Sequence, residues 1–227
     1  MTEIQSYEVE IKALLGSPER AAEVLEHIKA LVPNVRHTSH NVQLNYYFVG
    51  KSLNELLEAT RAHLSADGIK KLADVARRAT SYSIRARKRN DDIILVVKAS
   101  ENSEASVNGI ARIEFEETVA LTLEELDALI LRAGFTHEAK WSRERDEYEA
   151  GTITVCMDKN AGYGYVAEFE RLVHSDAEAG AARAEIEAFM AQIGVRELPQ
   201  DRLDRMFSYY NTHWPEYYGT DKIFDIQ

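Results

Sequence analysis

Cysteine is nearly absent from this chain, since Cys156 is the single one among 227 residues. A disulfide within the chain needs two cysteines, and a zinc site based on cysteine needs several thiolates in one place. The sequence therefore excludes an internal disulfide and a cysteine-based zinc site.

Long apolar runs are lacking as well. No segment approaches the roughly 20 consecutive apolar residues that a membrane-spanning helix needs. The first residues, MTEIQSYEVEIK, have neither the basic start nor the apolar stretch of a secretory signal peptide. We therefore expect a cytoplasmic protein without a membrane partner.

The chain also has no excess of positive charge. It carries 27 Lys and Arg residues against 38 Asp and Glu residues, which gives a formal net charge of −11. A general nucleic-acid-binding protein needs a basic surface to neutralise phosphates, so we expect no nucleic-acid partner. A glycine-rich phosphate loop of the Walker type is also missing.

What the chain does have is regular hydrophobic periodicity, with 45% hydrophobic residues. Alternation predicts strands at residues 5–15, 36–49, 81–89, 92–100, 109–121, 136–149, 152–158 and 163–174. Helical spacing predicts helices at residues 18–31, 52–64, 66–78, 122–134, 176–193 and 200–211, with a break near Asp67-Gly68. Asn90-Asp91 indicates a hairpin turn between two of the strands.

These elements predict an α+β fold. Successive hairpins imply antiparallel pairing, and a sheet of about eight strands usually curls or closes. We therefore predict a closed eight-stranded antiparallel β-barrel surrounded by helices. We expect the barrel and its helical insertions to occupy residues 4–195, and a C-terminal helix with an aromatic tail to occupy residues 196–227 and pack on the barrel.

Charged residues recur at every second position of several predicted strands, where they share one face. The sets are Glu8, Glu10 and Lys12; Arg85 and Arg87; Lys98; Arg112, Glu114 and Glu116; Arg143 and Arg145; Asp158; and Glu168 and Glu170. For one strand alone, a solvated outer face explains the pattern better. Across five or six strands like-charged pairs recur, acidic on three strands and basic on two, with Lys12 and Lys98 as single additions. Solvated faces usually mix signs and include uncharged polar residues.

We therefore predict that the charged faces line a wet interior and that the apolar faces pack against helices. Carboxylates at this spacing suit Mg²⁺ or Mn²⁺, which prefer oxygen ligands. Arginine and lysine suit phosphate oxygens. A polyanion bound together with a divalent metal ion would neutralise both sets of charges.

The charged motifs and their order resemble the CYTH superfamily, the triphosphate tunnel metalloenzymes, over residues 7 to about 172. This group includes class IV adenylyl cyclases, thiamine triphosphatases and inorganic triphosphatases. The matching motifs are Glu8-Val-Glu10-Ile-Lys12, Gln43-x-Asn45-x-Tyr47-Phe48, Arg85-x-Arg87, Lys98 in LVVKAS, RIEFEE, Arg143-x-Arg145-x-x-Tyr148, Asp158, Tyr163-Gly164-Tyr165 and Glu168-x-Glu170. Ile84 stands where family members usually carry leucine, residues 50–80 form a longer helical insertion, and residues 200–227 match nothing in the family.

The resemblance implies a role for each charged residue. Glu8, Glu10 and Glu170 would be metal ligands, with Glu114, Glu116 and Glu168 as further or water-mediated ligands. The phosphate-binding residues would be Lys12, Arg85, Arg87, Lys98, Arg143 and Arg145. Catalysis would involve Lys12, Glu8, Glu10 and Asp158, the last by orienting a basic residue or a metal-bound water. For Glu116, Arg112 and Asp158 a solvated face is about as good an explanation.

Three functions are compatible with these residues. The first is a metal-dependent triphosphatase that acts on inorganic tripolyphosphate or an organic triphosphate. The second is a class IV adenylyl cyclase that converts ATP to cyclic AMP and pyrophosphate, and the third is a non-catalytic triphosphate-binding module. No feature demands an adenine and ribose pocket, so the sequence favours hydrolysis. The expected partner is a triphosphate-containing small molecule, and the resemblance suggests a homodimer.

The remaining candidates are weaker. His37-x-x-His40 is the only close histidine pair, and we expect no metal there. Arg89 lies at a predicted turn and is expected at the surface, and Cys156 is better explained as a small packed side chain. The aromatic residues of the tail are expected to pack against the rest of the fold rather than stack on a nucleobase; they are Tyr209, Tyr210, Trp214, Tyr217 and Tyr218.

Overall fold

The structure is a computed structural model, and it describes residues 7–100 and 113–224. The strands are β1 Tyr7–Gly16, β2 Arg36–Val49, β3 Ser81–Arg89, β4 Asp92–Ser100, β5 Ile113–Thr118, β6 Thr136–Ala150, β7 Ile153–Asn160 and β8 Gly164–Val173. The α-helices are α1 Pro18–Leu31, α2 Leu53–Thr60, α3 Ala66–Arg78, α4 Leu123–Arg132, α5 Ala179–Gln192 and α6 Gln200–Tyr217. Short 3₁₀ turns cover Arg61–His63 and Asp176–Glu178.

Each predicted strand and helix has a counterpart in this order. The predicted hairpin turn is confirmed: Asn90 adopts φ 52°, in the left-handed region that Asn tolerates, and β3 pairs with β4 on either side of it. Residues 4–6, residues 225–227 and Arg112, together with the start of the predicted strand 109–121, lie outside the described residues. No helix in the described ranges is long and apolar enough to cross a bilayer.

The break in the helical insertion lies just before the predicted position near Asp67-Gly68, and the second helix has the predicted bounds 66–78. The α3 helix begins at Ala66 with Ser65 as its N-cap, and the Ser65 hydroxyl accepts a hydrogen bond from the backbone N–H of Gly68 at 2.9 Å. Gly68 therefore lies in the first turn of α3 rather than between two helices.

The strands form one antiparallel sheet in the order β1-β8-β7-β6-β2-β3-β4-β5. β1 and β5 are its two edges, and among the described residues the sheet does not close, so the predicted closed barrel is wrong. Hairpins fix which strands are neighbours, and alternation fixes which residues share a face. Closure depends in addition on strand tilt and on the stagger of the register, which hydrophobic periodicity does not encode.

The described chain divides into two compact units, which share the long strands β2 and β6. Unit 1 comprises residues 7–41 and 142–224, and unit 2 comprises residues 42–100 and 113–141. The predicted division into residues 4–195 and 196–227 stays a prediction.

Each unit buries the apolar faces of its strands against helices. In unit 1, a core on β1, β7 and β8 packs on α1 and α5; it includes Val9, Ile11, Val24, Ile28, Val155, Phe169 and Ile186. In unit 2, β3 and β5 contact α4 and α3, and the buried residues include Ile84, Leu95, Val97, Phe115, Leu72 and Leu126. The opposite faces of these strands carry the charged residues.

The C-terminal segment is held to the turn between β7 and β8. Gly162 donates its N–H to the carbonyl of Lys222 at 2.8 Å, and Phe224 donates its N–H to the carbonyl of Gly162 at 2.8 Å. The Phe224 ring lies 5.0 Å from the rings of Tyr163 and Tyr209. These contacts form a small aromatic core within unit 1.

Candidate active site

Charged side chains from β1, β6, β7 and β8 lie on one face of unit 1. Residues opposed across an antiparallel pair point to the same side, and the register pairs Glu10 with Glu170, Lys12 with Glu168 and Arg145 with Asp158. Cys156 of β7 is paired with Glu168 of β8. The face on β1 and β8 therefore continues onto β7 and β6. We call this set the unit 1 charged face: Glu8, Glu10, Lys12, Arg143, Arg145, Asp158, Glu168 and Glu170.

Three carboxylates of this face converge. One oxygen from each of Glu8, Glu10 and Glu170 lies within 4.8 Å of the others. The side chains of Glu10 and Glu170 are only 12% and 16% exposed. An all-carboxylate donor set of this kind suits a hard divalent cation such as Mg²⁺ or Mn²⁺.

Asp158 fixes two arginines. Its carboxylate accepts hydrogen bonds from Nε and Nη2 of Arg145, both at 2.7 Å, and from Nη1 of Arg143 at 2.7 Å. The Asp158 side chain is 1% exposed, so these contacts replace water almost completely. Asp158 therefore holds the guanidinium groups of two residues that lie two positions apart on β6.

Lys12 and Glu168 connect the arginines to the carboxylates. The Lys12 ammonium donates to Oε1 of Glu168 at 2.7 Å and also contacts Glu10. Glu168 in turn contacts Arg145 and lies 3.7 Å from Nη1 of Arg143. A further atom of Arg145, Nη1, lies 3.8 Å from Oε1 of Glu170. Cations and anions thus alternate across the face.

The alternation of cations and anions determines the charge states of Glu168 and Arg145. Burial alone would raise the pKa of the Glu168 carboxyl, but Arg145, Lys12 and Arg143 outweigh it and hold that pKa well below its usual range. Burial would also lower the pKa of Arg145, but Asp158 and Glu168 outweigh it and raise that pKa well above its usual value. Both groups are therefore charged at neutral pH.

The thiol of Cys156 lies beside one of the three carboxylates, with Sγ 3.7 Å from Oε1 of Glu170. Burial raises its pKa well above the usual value; Arg145 opposes the shift, and Glu170 adds to it. The group is therefore a neutral thiol, in keeping with the predicted packed side chain, although it also touches the site.

Unit 2 carries a second charged face on β2 to β5. Arg87 donates to Oδ1 of Asn45 at 2.8 Å and to Oε1 of Glu116 at 2.5 Å. Lys98 lies 3.5 Å from Glu114, and the guanidinium of Arg85 lies 4.6 Å above the ring of Tyr47. These contacts form separate pairs, in which Glu114 and Glu116 of this face each lie against a cation.

Two contacts in unit 2 were not predicted. Asn45 was not counted among the site residues, yet it is buried and holds Arg87. Its polar side chain in a strand of aromatic neighbours, together with its parity with Tyr47, is the signal that could have revealed it. Arg89, predicted at the surface, is 39% exposed and lies 4.0 Å from Glu116.

Comparison with known proteins now gives the family. The model of the CYTH domain matches residues 6–202. The chain belongs to the CYTH family. The resemblance inferred from the charged motifs is thereby confirmed, and the match continues beyond residue 172 into the start of α6.

Solved structures share the fold of this CYTH protein. The PH1819 protein of Pyrococcus horikoshii OT3 is 20% identical with a TM-score of 0.59, over 92% of this chain and 99% of that one. A putative adenylate cyclase of Vibrio parahaemolyticus is 13% identical with a TM-score of 0.59, over 89% and 98%. At these identities the likeness establishes the fold alone. A search of curated proteins gave no match.

Proposed function

We propose that this CYTH protein is a metal-dependent triphosphatase that hydrolyses inorganic tripolyphosphate or an organic triphosphate. The observation that carries the proposal is the convergence of Glu8, Glu10 and Glu170 within 4.8 Å, next to Lys12 and Arg145. Carboxylates for a cation and cations for a phosphate chain are thus adjacent on one face of unit 1.

The carboxylates are suited to the metal. Glu8, Glu10 and Glu170 would hold Mg²⁺ or Mn²⁺, which when bound supplies positive charge that neutralises phosphate oxygens. Glu168, Glu114 and Glu116 remain proposed as further or water-mediated ligands. Each of them contacts a cationic side chain, which also supports a role in positioning that side chain.

The cations of the unit 1 charged face would bind the phosphates. Arg145 and Arg143 present guanidinium groups whose orientation Asp158 fixes, so they are preorganised for the charge that develops as the phosphoanhydride bond breaks. Lys12 supplies a compact charge near the carboxylates. In this scheme Asp158 acts through the arginines. We also propose phosphate binding for Arg85, Arg87 and Lys98 of unit 2, on the strength of the family motifs.

The proposal is tested by product analysis with tripolyphosphate, ATP, GTP and thiamine triphosphate in the presence of Mg²⁺ or Mn²⁺. We expect orthophosphate, and we expect Glu10→Gln and Arg145→Gln each to lower kcat/KM by roughly 10²-fold or more. The matched control is Glu144→Gln, which alters an exposed carboxylate of β6 at the strand parity opposite to that of Arg145. Its activity should equal that of the unchanged protein.

Two results would contradict the proposal. Cyclic AMP and pyrophosphate from ATP would identify an adenylyl cyclase instead. Saturable binding of tripolyphosphate with no turnover of any substrate would identify a triphosphate-binding module. The cytoplasmic location and the homodimer stay predictions, the latter open to measurement by sedimentation.

A further inference from the structure

The arginines of β3 lie opposite uncharged residues of the neighbouring strand β2. The register pairs three residues of β2 with three arginines of β3: Gln43 with Arg89, Asn45 with Arg87 and Tyr47 with Arg85. In unit 1 the register instead places a carboxylate, Asp158, opposite Arg145. The positive charge of β3 is therefore not cancelled across this strand pair.

Asn45 holds the guanidinium of Arg87 through a neutral contact. Nε of Arg87 donates to Oδ1 of Asn45 at 2.8 Å, and the side chain of Arg87 is only 7% exposed. Asn45 itself is buried, so water competes little for this hydrogen bond. An amide oxygen accepts the bond as a carboxylate oxygen would, but it carries no full negative charge. The orientation of Arg87 is therefore fixed without cancelling its charge.

A carboxylate that contacts Arg87 is shared with a second arginine. Oε1 of Glu116 accepts from Nη1 of Arg87 at 2.5 Å, and Oε2 of Glu116 lies 4.0 Å from Nη1 of Arg89. The side chain of Glu116 is 32% exposed, so solvent screens its charge more than it screens the charge of Asp158. Positive charge is therefore in excess among Arg87, Arg89 and Glu116.

We propose that Asn45 is a positioning residue for the phosphate chain: it orients Arg87 and, because it is uncharged, it preserves the attraction of that guanidinium for phosphate oxygens. This inference rests on the proposed function and names a residue through which the substrate is held. A carboxylate in the same place would keep the hydrogen bond but cancel the charge. Asparagine and aspartate have nearly the same shape, so one substitution separates orientation from charge.

The test is calorimetric titration of the full chain with sodium tripolyphosphate in EDTA, which prevents metal-dependent turnover. We expect Asn45→Asp to weaken binding at least about tenfold, because it places a negative charge next to Arg87. The urea midpoint of this variant should not fall, since the hydrogen bond to Arg87 is kept. Asn45→Leu removes the acceptor and should lower both the midpoint and the affinity.

The matched control is Val42→Asp, which adds the same charge to β2. Val42 is 50% exposed and has the strand parity opposite to that of Asn45, so its side chain lies on the other face of the sheet. The affinity of this variant for tripolyphosphate should equal that of the unchanged protein.

Equal affinity of the unchanged protein and Asn45→Asp overturns the proposal, as does an equal loss in Val42→Asp. A urea midpoint that falls as far in Asn45→Asp as in Asn45→Leu also overturns it, because Asn45 would then serve the fold alone. Failure of the proposed function gives a different result: the unchanged protein would bind tripolyphosphate more tightly than Asn45→Asp does, yet release no orthophosphate with Mg²⁺ or Mn²⁺.

Discussion

At the scale of single residues, Asp158 has an unusual position, because one carboxylate with a side chain 1% exposed forms ion pairs with the guanidinium groups of both Arg143 and Arg145. Its formation of three hydrogen bonds offsets the cost of removing the charge from water. If the carboxylate is lost, two poorly hydrated cations remain next to each other, with Glu168 as the carboxylate that both still contact.

Asp158→Asn should therefore lower the free energy of unfolding by about 3 kcal/mol, as expected when one partner of a buried ion pair is removed. The matched control is Asp221→Asn, since Asp221 pairs with Lys159 at 2.8 Å but has an 86% exposed side chain. That change should cost roughly 1 kcal/mol or less. Urea denaturation of both variants gives the comparison, and equal losses would contradict the assigned role of burial.

Glu168 should make stability depend on acid pH. Since its cationic neighbours hold its pKa well below the usual range, the folded state binds fewer protons than the unfolded state under acid conditions. Its contribution to stability is present above about pH 4.3 and is lost as the pH falls through the lowered pKa.

Glu168→Gln should therefore be less stable than the unchanged protein at neutral pH, and the difference should shrink on acidification. The measurement is urea denaturation in EDTA over a series of pH values. A difference that stays constant down to strongly acid pH would show that the charge of Glu168 is not responsible.

At the scale of elements, the sequence predicted where most helices and strands begin and end, because the causes are local. Ser52 with Glu55 and Thr122 with Glu125 form capping boxes that begin α2 and α4, and such patterns can be read within four residues. The sheet edges could not be read in this way. Whether β1 and β5 meet depends on stagger summed over every strand between them, which no local pattern records.

The start of β8 gives a prediction at this scale. Gly164 has φ +71°, and a Cβ there would lie 2.5 Å from the backbone carbonyl oxygen of Gly16. Gly151, in the turn between β6 and β7, has nearly the same φ of +69° but open space around it. A comparison of alanine at these two positions therefore separates the cost of the left-handed backbone conformation from the cost of a steric clash.

Gly151→Ala should cost about 1 kcal/mol through the left-handed conformation alone. Gly164→Ala should cost on the order of 1 kcal/mol more, because the backbone of β1 must also move. Denaturant midpoints compare the two variants. Equal losses would mean that β1 and β8 tolerate a methyl group between them.

At the scale of the whole molecule, hydrophobic periodicity placed the charged residues on shared faces but could not give the contacts of each one; only the family resemblance separated Glu170 from Glu168. Glu168 and Glu170 are two residues apart on one face of β8, yet Glu168 contacts three cations whereas Glu170 joins the group of carboxylates. Their alternate positions along β8 assign both residues to the same face. The register with β1, which places Lys12 opposite one and Glu10 opposite the other, decides their neighbours.

With a formal net charge of −11, the protein should gain stability from bound cations. If Mn²⁺ occupies the carboxylate group, a concentration of 100 times Kd should stabilise the fold by about 2.7 kcal/mol. For a chain of this size the corresponding rise in Tm is roughly 5–11 °C. Glu8→Gln, which removes one of the three oxygens, should abolish most of the rise, while Glu144→Gln should retain it. Differential scanning calorimetry measures the shifts, and an undiminished rise in Glu8→Gln would exclude this group as the manganese site.

The shared carboxylate of Asp158 also constrains how this sequence can diverge. Because it serves two arginines at once, its replacement by an uncharged residue leaves both arginines with Glu168 as the carboxylate they still share, and a change of either arginine alone leaves a buried anion short of a partner. Among homologues, positions 143, 145 and 158 should therefore vary together or not at all, and a lineage that has lost the acid should have lost both basic side chains as well.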